Sequence, residues 1–161
     1  MLFNLTTQNS AVAKMLAVNE VLECNARTAC YNLCITDQQA LELVEARSQN
    51  LRDNGRVELG GGVIDKLIDA FCASAYLMQD NYAETIHELM EIFYYYKNET
   101  LDLLSDDDLI DYMKQSYEGI CQSSTELLKG RELDTLARWV RYANSSEYEQ
   151  KYGISGGSDY E

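Results

Sequence analysis

The segment that decides the fold is residues 80–104, which read DNYAETIHELMEIFYYYKNETLDLL. Apolar and aromatic residues recur here at intervals of three and four, which places them on one face of a helix. The chain contains no proline, a residue that would break helix interiors. We therefore predict a long amphipathic helix, with an apolar stripe formed by Tyr82, Ile86, Leu89, Phe93, Tyr96 or Lys97, Leu101 and Leu104.

Five further segments on either side show the same periodicity. Thr36 and Gln39 form a capping-box pattern at the start of one of them, and Ser105 with Asp108 forms a similar start at another. Asn54-Gly55 is a helix stop, because glycine accepts the left-handed conformation of a C-cap. The predicted helices span residues 10–32, 37–54, 62–75, 106–120 and 123–143, the last with a break near Gly130.

Six amphipathic segments joined by short links predict an all-α fold, a compact bundle of about six helices. We expect one helical domain over residues 1–143. Residues 144–161 lose the periodicity and gain Gly, Ser and acidic residues, which predicts a flexible, disordered acidic tail. Residues 56–59 alternate in polarity, and with residues 33–35 they could form a minor two-stranded β appendage.

Charge and cysteine content restrict the function. The 161-residue chain carries a net charge of −14, and residues 80–118 alone contain 11 acidic and 2 basic residues. Such a field repels phosphates, so we predict no direct nucleic-acid binding. No apolar run approaches the ~20 residues that cross a membrane, so no membrane association is predicted. Five cysteines without a secretion signal indicate reduced thiols and a cytoplasmic location.

The run Phe93-Tyr94-Tyr95-Tyr96 is the second notable feature. Four consecutive helical positions span about 300° around the axis, so they cannot all face one core. Either the helix is central and the hydroxyls emerge at its rim, or some tyrosines lie on the surface, where tyrosine is common in interfaces. The acidic residues and this run together predict a protein-interaction surface formed by Glu84, His87, Glu91, Tyr94, Tyr95, Asp106, Asp107 and Asp111.

The sequence does not contain a complete metal or thiol site. Glu84 and His87 have the spacing of a di-iron pair, but such a site needs two pairs and the chain has one histidine. Cys24, Cys30 and Cys34 lack the tight paired spacing of structural zinc sites. Whether the cysteines hold zinc with a ligand from elsewhere in the chain stays open.

Two other patterns fail for similar reasons. The glycines at 60–62 precede a helix but lack the Gly-Lys-Ser/Thr of a phosphate-binding loop, so we expect a flexible turn. Asp106-Asp107-Asp108 lacks the glycine and glutamate of a calcium loop and is better explained by the helix dipole. We therefore predict no catalytic residue, no metal site and no cofactor within one chain.

Two stretches, GRVELGGGVIDKL at residues 55–67 and HELMEIFYYYKNETL at residues 87–101, resemble a bacterial family of small, helical proteins of unknown function. The resemblance extends over most of residues 1–143. It implies a bacterial, cytosolic protein. It implies no activity, cofactor or catalytic residue, because none is assigned to that family.

Three functional hypotheses follow. The first is a non-enzymatic interaction or regulatory module that binds a protein partner through the acidic, tyrosine-rich surface. The second is an acidic mimic of nucleic acid that inhibits a nucleic-acid-binding protein. The third is an enzyme whose metal and carboxylate site is completed by oligomerisation. The sequence favours the first, and it is compatible with a homo-oligomer.

Overall fold

The structure, a computed structural model, describes the backbone of residues 2–152 and the side chains of residues 11–145. Within that range it contains six helices of ten residues or more and no β-strand, which confirms the all-α prediction. None of these helices combines the length and apolar character needed to cross a bilayer. The helices are α1 (Leu2–Glu23), α2 (Asp37–Asn54), α3 (Gly62–Phe71), α4 (Tyr82–Glu99), α5 (Asp106–Glu118) and α6 (Leu133–Tyr152).

The predicted caps form. The Thr36 side chain accepts a hydrogen bond from the Gln39 backbone N–H, and the Gln39 side chain accepts one from the Thr36 N–H. Gly55 ends α2 in the left-handed conformation, with φ of 64°. Ser105 accepts from the Asp108 N–H and so caps α5. These bonds satisfy backbone groups that a helix end leaves without partners, which is why the short patterns predicted both ends of α2 and the start of α5.

The chain divides into two compact units, Met1–Tyr94 and Tyr95–Glu161, and the boundary falls inside α4. In the first unit α1 packs on α2 and α3, and α2 packs on α3. Its core includes Val21, Val44, Ile64, Leu67, Phe71, Ile86 and Leu89. The core of the second unit includes Leu109, Met113, Leu128, Leu133 and Ala137. The single domain over residues 1–143 stays a prediction, since α4 contributes residues to both units.

The predicted β appendage is wrong. Residues 33–35 have no regular secondary structure, and two side-chain amides bond the backbone groups of Cys34 and Ile35. Asn25 bonds both the N–H and the carbonyl of Ile35, at 2.8 and 2.9 Å. Gln79 does the same for Cys34, at 2.7 and 2.8 Å. These groups are therefore not available for strand pairing, and at 56–59 Val57 and Leu59 project into solvent.

Several helix limits differ from prediction. α4 ends at Glu99 and not at residue 104, because the backbone of Leu101 and Asp102 turns to positive φ, and Leu101 is 53% exposed. α1 ends at Glu23 and is followed by two short helical turns, Asn25–Thr28 and Ala29–Tyr31, where one helix to residue 32 was expected. α3 ends at Phe71, before the predicted end at residue 75.

α1 begins at Leu2 and not after a cap at Asn9 or Ser10, because nothing in residues 2–8 breaks a helix. A π-helical turn, Leu128–Glu132, surrounds Gly130 where a break was expected. α6 continues to Tyr152, beyond the predicted end at residue 143, because residues 144–152 lack glycine and proline. The rest of the predicted tail, residues 153–161, lies outside the described residues.

Candidate functional site

The first half of α4 presents an acidic face to water. Glu84, Glu88 and Glu91 are exposed and His87 is half-exposed, as the helical period predicts. The opposite side of the helix is fully buried through Tyr82, Ile86, Leu89, Met90 and Phe93. We call Glu84, His87, Glu88 and Glu91 the outer acidic face. Its position agrees with the sequence analysis.

His87 and Glu91 form an ion pair on this face. His87 Nε2 lies 3.0 Å from Glu91 Oε1, one helical turn away. In the described part of the chain Glu84 has no ion pair. Beside it lies an acidic groove of about 470 Å³. The groove is lined by Gln39, Glu42, Leu43, Asp80, Ala83, Glu84 and His87.

The tyrosine run divides sharply between interior and surface. Phe93, Tyr94 and Tyr96 are buried, whereas Tyr95 is 57% exposed. Three of the four residues of the run are therefore internal, and Tyr95 lies on the surface. Tyr96 OH bonds the Lys129 carbonyl oxygen and the Asp134 carboxylate. Burial, with the Asp134 carboxylate adding to it, raises the pKa of Tyr96 above its ordinary value.

Tyr94 was predicted as a surface contact and is not one. It is 1% exposed, and its hydroxyl donates to Glu58 Oε2 at 2.5 Å. Glu58 Oε1 accepts from the Val63 N–H at 3.1 Å and lies 3.8 Å from Arg47 Nη1. We call Arg47, Glu58, Val63 and Tyr94 the inner network. The helical wheel put Tyr94 opposite the main stripe, but Glu58 comes from a distant loop that the wheel does not represent.

In the second unit, the three predicted aspartates differ in role. Asp106 pairs with Lys97 Nζ at 2.9 Å, and Lys97 also donates to the Leu104 carbonyl at 2.5 Å. Asp106 therefore closes the turn between α4 and α5. Asp107 and Asp111 are exposed and lie four residues apart on one face of α5. Within the described residues Asp111 has no ion pair.

An exposed aromatic pair on α6 was missed by the sequence analysis. Trp139 is 67% exposed and Tyr142 is 65% exposed. Their ring centroids lie 6.2 Å apart in a T-shaped arrangement. The spacing of three residues on one helix was the available signal. Exposed tryptophan and tyrosine are enriched in protein interfaces, so this pair extends the candidate surface of the second unit.

The metal and thiol hypotheses depend on where the cysteine, histidine and acidic side chains lie. Among the described residues no group of three or more His, Cys, Asp or Glu side chains is arranged to hold a metal ion. Cys24 is buried, with Sγ 3.4 Å from Asp65 Oδ1 and 3.2 Å from Arg27 Nη2. Burial, followed by the charge of Asp65, raises the pKa of the Cys24 thiol to about 12. Cys24 is therefore protonated at neutral pH and is a poor nucleophile.

Comparison with known proteins gives a family but no function. The sequence model of a family described as "Family of unknown function (DUF6323)" matches residues 20–146, most of the 161-residue chain. No curated protein and no solved structure matches the chain. The matched range includes both segments on which the family resemblance rests.

Proposed function

This chain belongs to a family of unknown function, and we propose that it is a non-enzymatic module that binds a protein partner with a basic surface. In the first unit the contacts are the outer acidic face of α4, and in the second unit they are Tyr95 and the exposed aspartates of α5. Tyr94 is left out of the predicted set because it is internal, and Asp106 is a turn contact.

The excess of exposed carboxylates over cations in this segment is the observation that carries the proposal. Residues 80–118 contain two lysines, and one of them, Lys97, pairs with Asp106 and caps a carbonyl. Glu84 and Asp111 have no ion pair among the described residues. A field of one sign attracts a partner of the opposite sign and speeds its encounter.

Aromatic side chains supply the second component. Charged contacts at the rim of an interface steer association, whereas buried aromatic residues supply most of its affinity. Tyr95 in the second unit is more than half exposed, and Trp139 and Tyr142 expose large rings on α6. We therefore expect the partner to combine basic side chains with pockets or apolar patches for these rings.

The test is a quantitative pull-down with the full chain, followed by an affinity measurement on each partner recovered. The site variants are Glu84→Gln with Asp111→Asn, and separately Tyr95→Ala. The matched controls are Asp53→Asn with Glu126→Gln, which also removes two exposed charges, and Tyr31→Ala, which removes another exposed tyrosine. We expect the partner to be lost or weakened roughly tenfold in the site variants only. Partner sets that are identical for site and control variants would contradict the proposal.

The nucleic-acid mimic remains the alternative, since it uses the same carboxylates. It requires the partner to be a nucleic-acid-binding protein and requires binding to be mainly electrostatic. Raising the salt to 1 M separates the two, because screening then acts within about 3 Å. A mimic is released at that concentration, whereas an interface held by Tyr95 or Trp139 retains most of its affinity.

The enzyme completed by oligomerisation is the least supported. Glu84 and His87 would have to meet their counterparts in a second copy, and His87 already pairs with Glu91. The stoichiometry of iron, manganese and zinc in the purified protein tests it. We also propose a cytoplasmic location in a bacterial cell. The five cysteines support this location, because all of them are free thiols.

A further inference from the structure

A buried arginine lies beside a groove in the first unit. Arg47 of α2 is 4% exposed, and its nearest carboxylate oxygen, Glu58 Oε1, is 3.8 Å from Nη1. That distance permits ion pairing but is too long for a hydrogen bond. In the described part of the chain, Nε and Nη1 of Arg47 have no hydrogen-bond acceptor. Buried donors without acceptors destabilise a fold, and more so on a charged group.

The neighbouring carboxylates are directed elsewhere. Glu58 accepts from the Val63 N–H and from Tyr94 OH, one bond on each oxygen. Glu20 Oε2 accepts from the Gly61 N–H at 2.7 Å. Glu20 and Glu58 therefore both bond backbone N–H groups at the start of α3, and Glu58 also bonds Tyr94. The Arg47 guanidinium therefore lies near negative charge, but Nε and Nη1 do not donate a hydrogen bond to either carboxylate.

The groove itself has the size and walls of a small-molecule site. Its volume of about 930 Å³ lies within the range of about 300–1,000 Å³ typical of ligand pockets. Its apolar wall includes Leu16, Ala17, Val44, Leu51 and Leu59. Arg47 lines the same groove. An apolar wall with a buried cation is the arrangement that an amphipathic anion fits.

The other cations of the groove already have partners. Lys14 Nζ pairs with Glu45 Oε1 at 2.9 Å, and Arg52 Nη2 donates to Gln49 Oε1 at 2.8 Å. Both are part of the rim, whereas Arg47 is buried. A negatively charged ligand would therefore gain most by reaching Arg47.

We propose that this groove binds a small organic acid, with its anionic head on Arg47 and its apolar body against Leu16 and Leu59. The head is a carboxylate or a phosphate, both of which accept paired hydrogen bonds from guanidinium. Nε and Nη1 are shielded from solvent, so the head reaches them after the Arg47 side chain rotates towards the groove. This site is independent of the acidic surface proposed for partner binding.

The experiment uses octanoate, octyl phosphate and neutral octanol as probes on the full, ¹⁵N-labelled chain. The Nε–Hε resonance of Arg47 is the readout, because a fold effect elsewhere does not produce a titrating shift there. We expect octanoate or octyl phosphate to shift it in a saturable manner and octanol to leave it unchanged. The two acids distinguish a carboxylate site from a phosphate site. Inorganic phosphate has no apolar body, so we expect its affinity to be lower than that of octyl phosphate by at least roughly tenfold.

Two exposed positions give a matched pair of variants. Leu59 and Val57 are each 87% exposed on the same loop, but only Leu59 lines the groove. Leu59→Asp places a negative charge at the groove and removes apolar wall, so we expect at least a tenfold loss of affinity for the acids. Val57→Asp is expected to bind them like the wild type. Arg47→Met should abolish binding of the charged probes. If that variant does not fold, the comparison of Leu59→Asp with Val57→Asp still tests the proposal.

Three results would overturn the proposal. The first is an Arg47 resonance that does not respond to millimolar octanoate or octyl phosphate. The second is octanol binding as tightly as octanoate, which would make the groove a purely apolar site. The third is equal affinity of Leu59→Asp and Val57→Asp for the acids. These measurements do not depend on the protein partner, so a failed pull-down would contradict the partner proposal and leave the groove proposal standing.

Discussion

The inner network and the outer acidic face show two uses of charged residues in the first unit. In the inner network Glu58 is held by the Val63 N–H, by Tyr94 and by the charge of Arg47. On the outer face Glu84 is exposed and has no ion pair among the described residues, and Glu91 pairs with the half-exposed His87. Buried charges must be compensated within the fold, whereas exposed ones remain available to a partner. The free energy of unfolding should therefore depend on the inner network, and the affinity for a protein partner should depend on the outer acidic face.

The largest expected effect comes from removing the centre of the inner network. Glu58→Ala leaves Arg47 without its nearest negative charge and removes the acceptor of the Val63 N–H and Tyr94 OH. We expect a loss of about 3 kcal/mol in the free energy of unfolding, measured by urea denaturation. Glu84→Ala on the outer face is the control and should change it by less than about 0.5 kcal/mol. Equal effects of the two substitutions would remove the distinction between the regions.

A glycine beside the network sharpens the comparison. Gly62 has φ of 51°, and a Cβ there would lie 2.3 Å from Glu58 Oε1 and 2.7 Å from Arg47 Nη1. Gly62→Ala should cost about 2 kcal/mol, from the left-handed backbone and the displaced ion pair. Gly55 has φ of 64° with nothing within 4 Å of its Cβ, so Gly55→Ala should cost about 1 kcal/mol. Urea denaturation of both variants gives two losses of stability, and their difference is the cost of the contact between the new Cβ and the Glu58–Arg47 pair. A difference near zero would mean that the pair moves aside freely.

Neighbouring tyrosines provide the next test. Tyr94→Phe removes the hydroxyl that bonds Glu58 and leaves a carboxylate oxygen without that donor. We expect a loss of about 1 kcal/mol of stability by urea denaturation. Tyr95→Phe removes an exposed hydroxyl and should leave stability unchanged within the error of the measurement. The prediction is contradicted if Tyr95→Phe is the more damaging change.

The smallest effect is expected on the outer face. Glu91→Gln breaks the His87–Glu91 pair, whose side chains are 43% and 56% exposed. Exposed pairs of this kind contribute about 0–1 kcal/mol, and salt reduces the contribution further. We expect less than about 0.5 kcal/mol by denaturation at low salt and no difference at 1 M salt. A larger loss that persists at 1 M salt would place this pair with the inner network.

Features that depend on residues close together in the chain were predicted more accurately than contacts between distant residues. The capping box of Thr36 and Gln39 and the apolar stripe of α4 from Tyr82 to Phe93 depend on residues within one or two turns, and both were predicted. The continuation of the stripe to Leu101 was wrong, because Leu101 lies beyond the helix and is 53% exposed. The β appendage was wrong because Asn25 and Gln79 occupy the backbone groups of residues 33–35. The surface position of Tyr94 was wrong because Glu58 reaches it from 36 residues away. Neither contact leaves a periodic signal.

For the candidate surface the outcome is mixed for the same reason. Glu84, Glu91, Tyr95, Asp107 and Asp111 are exposed, which the helical period indicated. Asp106 sits in a turn contact with Lys97, a pairing that depends on how the chain folds back after α4. Trp139 and Tyr142 were missed because large aromatic residues are more often buried, and their exposure depends on what packs against α6.

The positions of the main helices, the caps at Thr36 and Ser105 and the concentration of acid in residues 80–118 follow from local spacing and composition, and they were predicted. Which polar residues are internal depends on contacts between distant parts of the chain. Tyr94 and Tyr95 are adjacent and chemically identical, yet one is 1% exposed and the other 57%. Burial is a property of what surrounds a side chain, and that depends on residues distant in sequence. The same is true of Arg47, whose place beside an apolar groove no local pattern indicates.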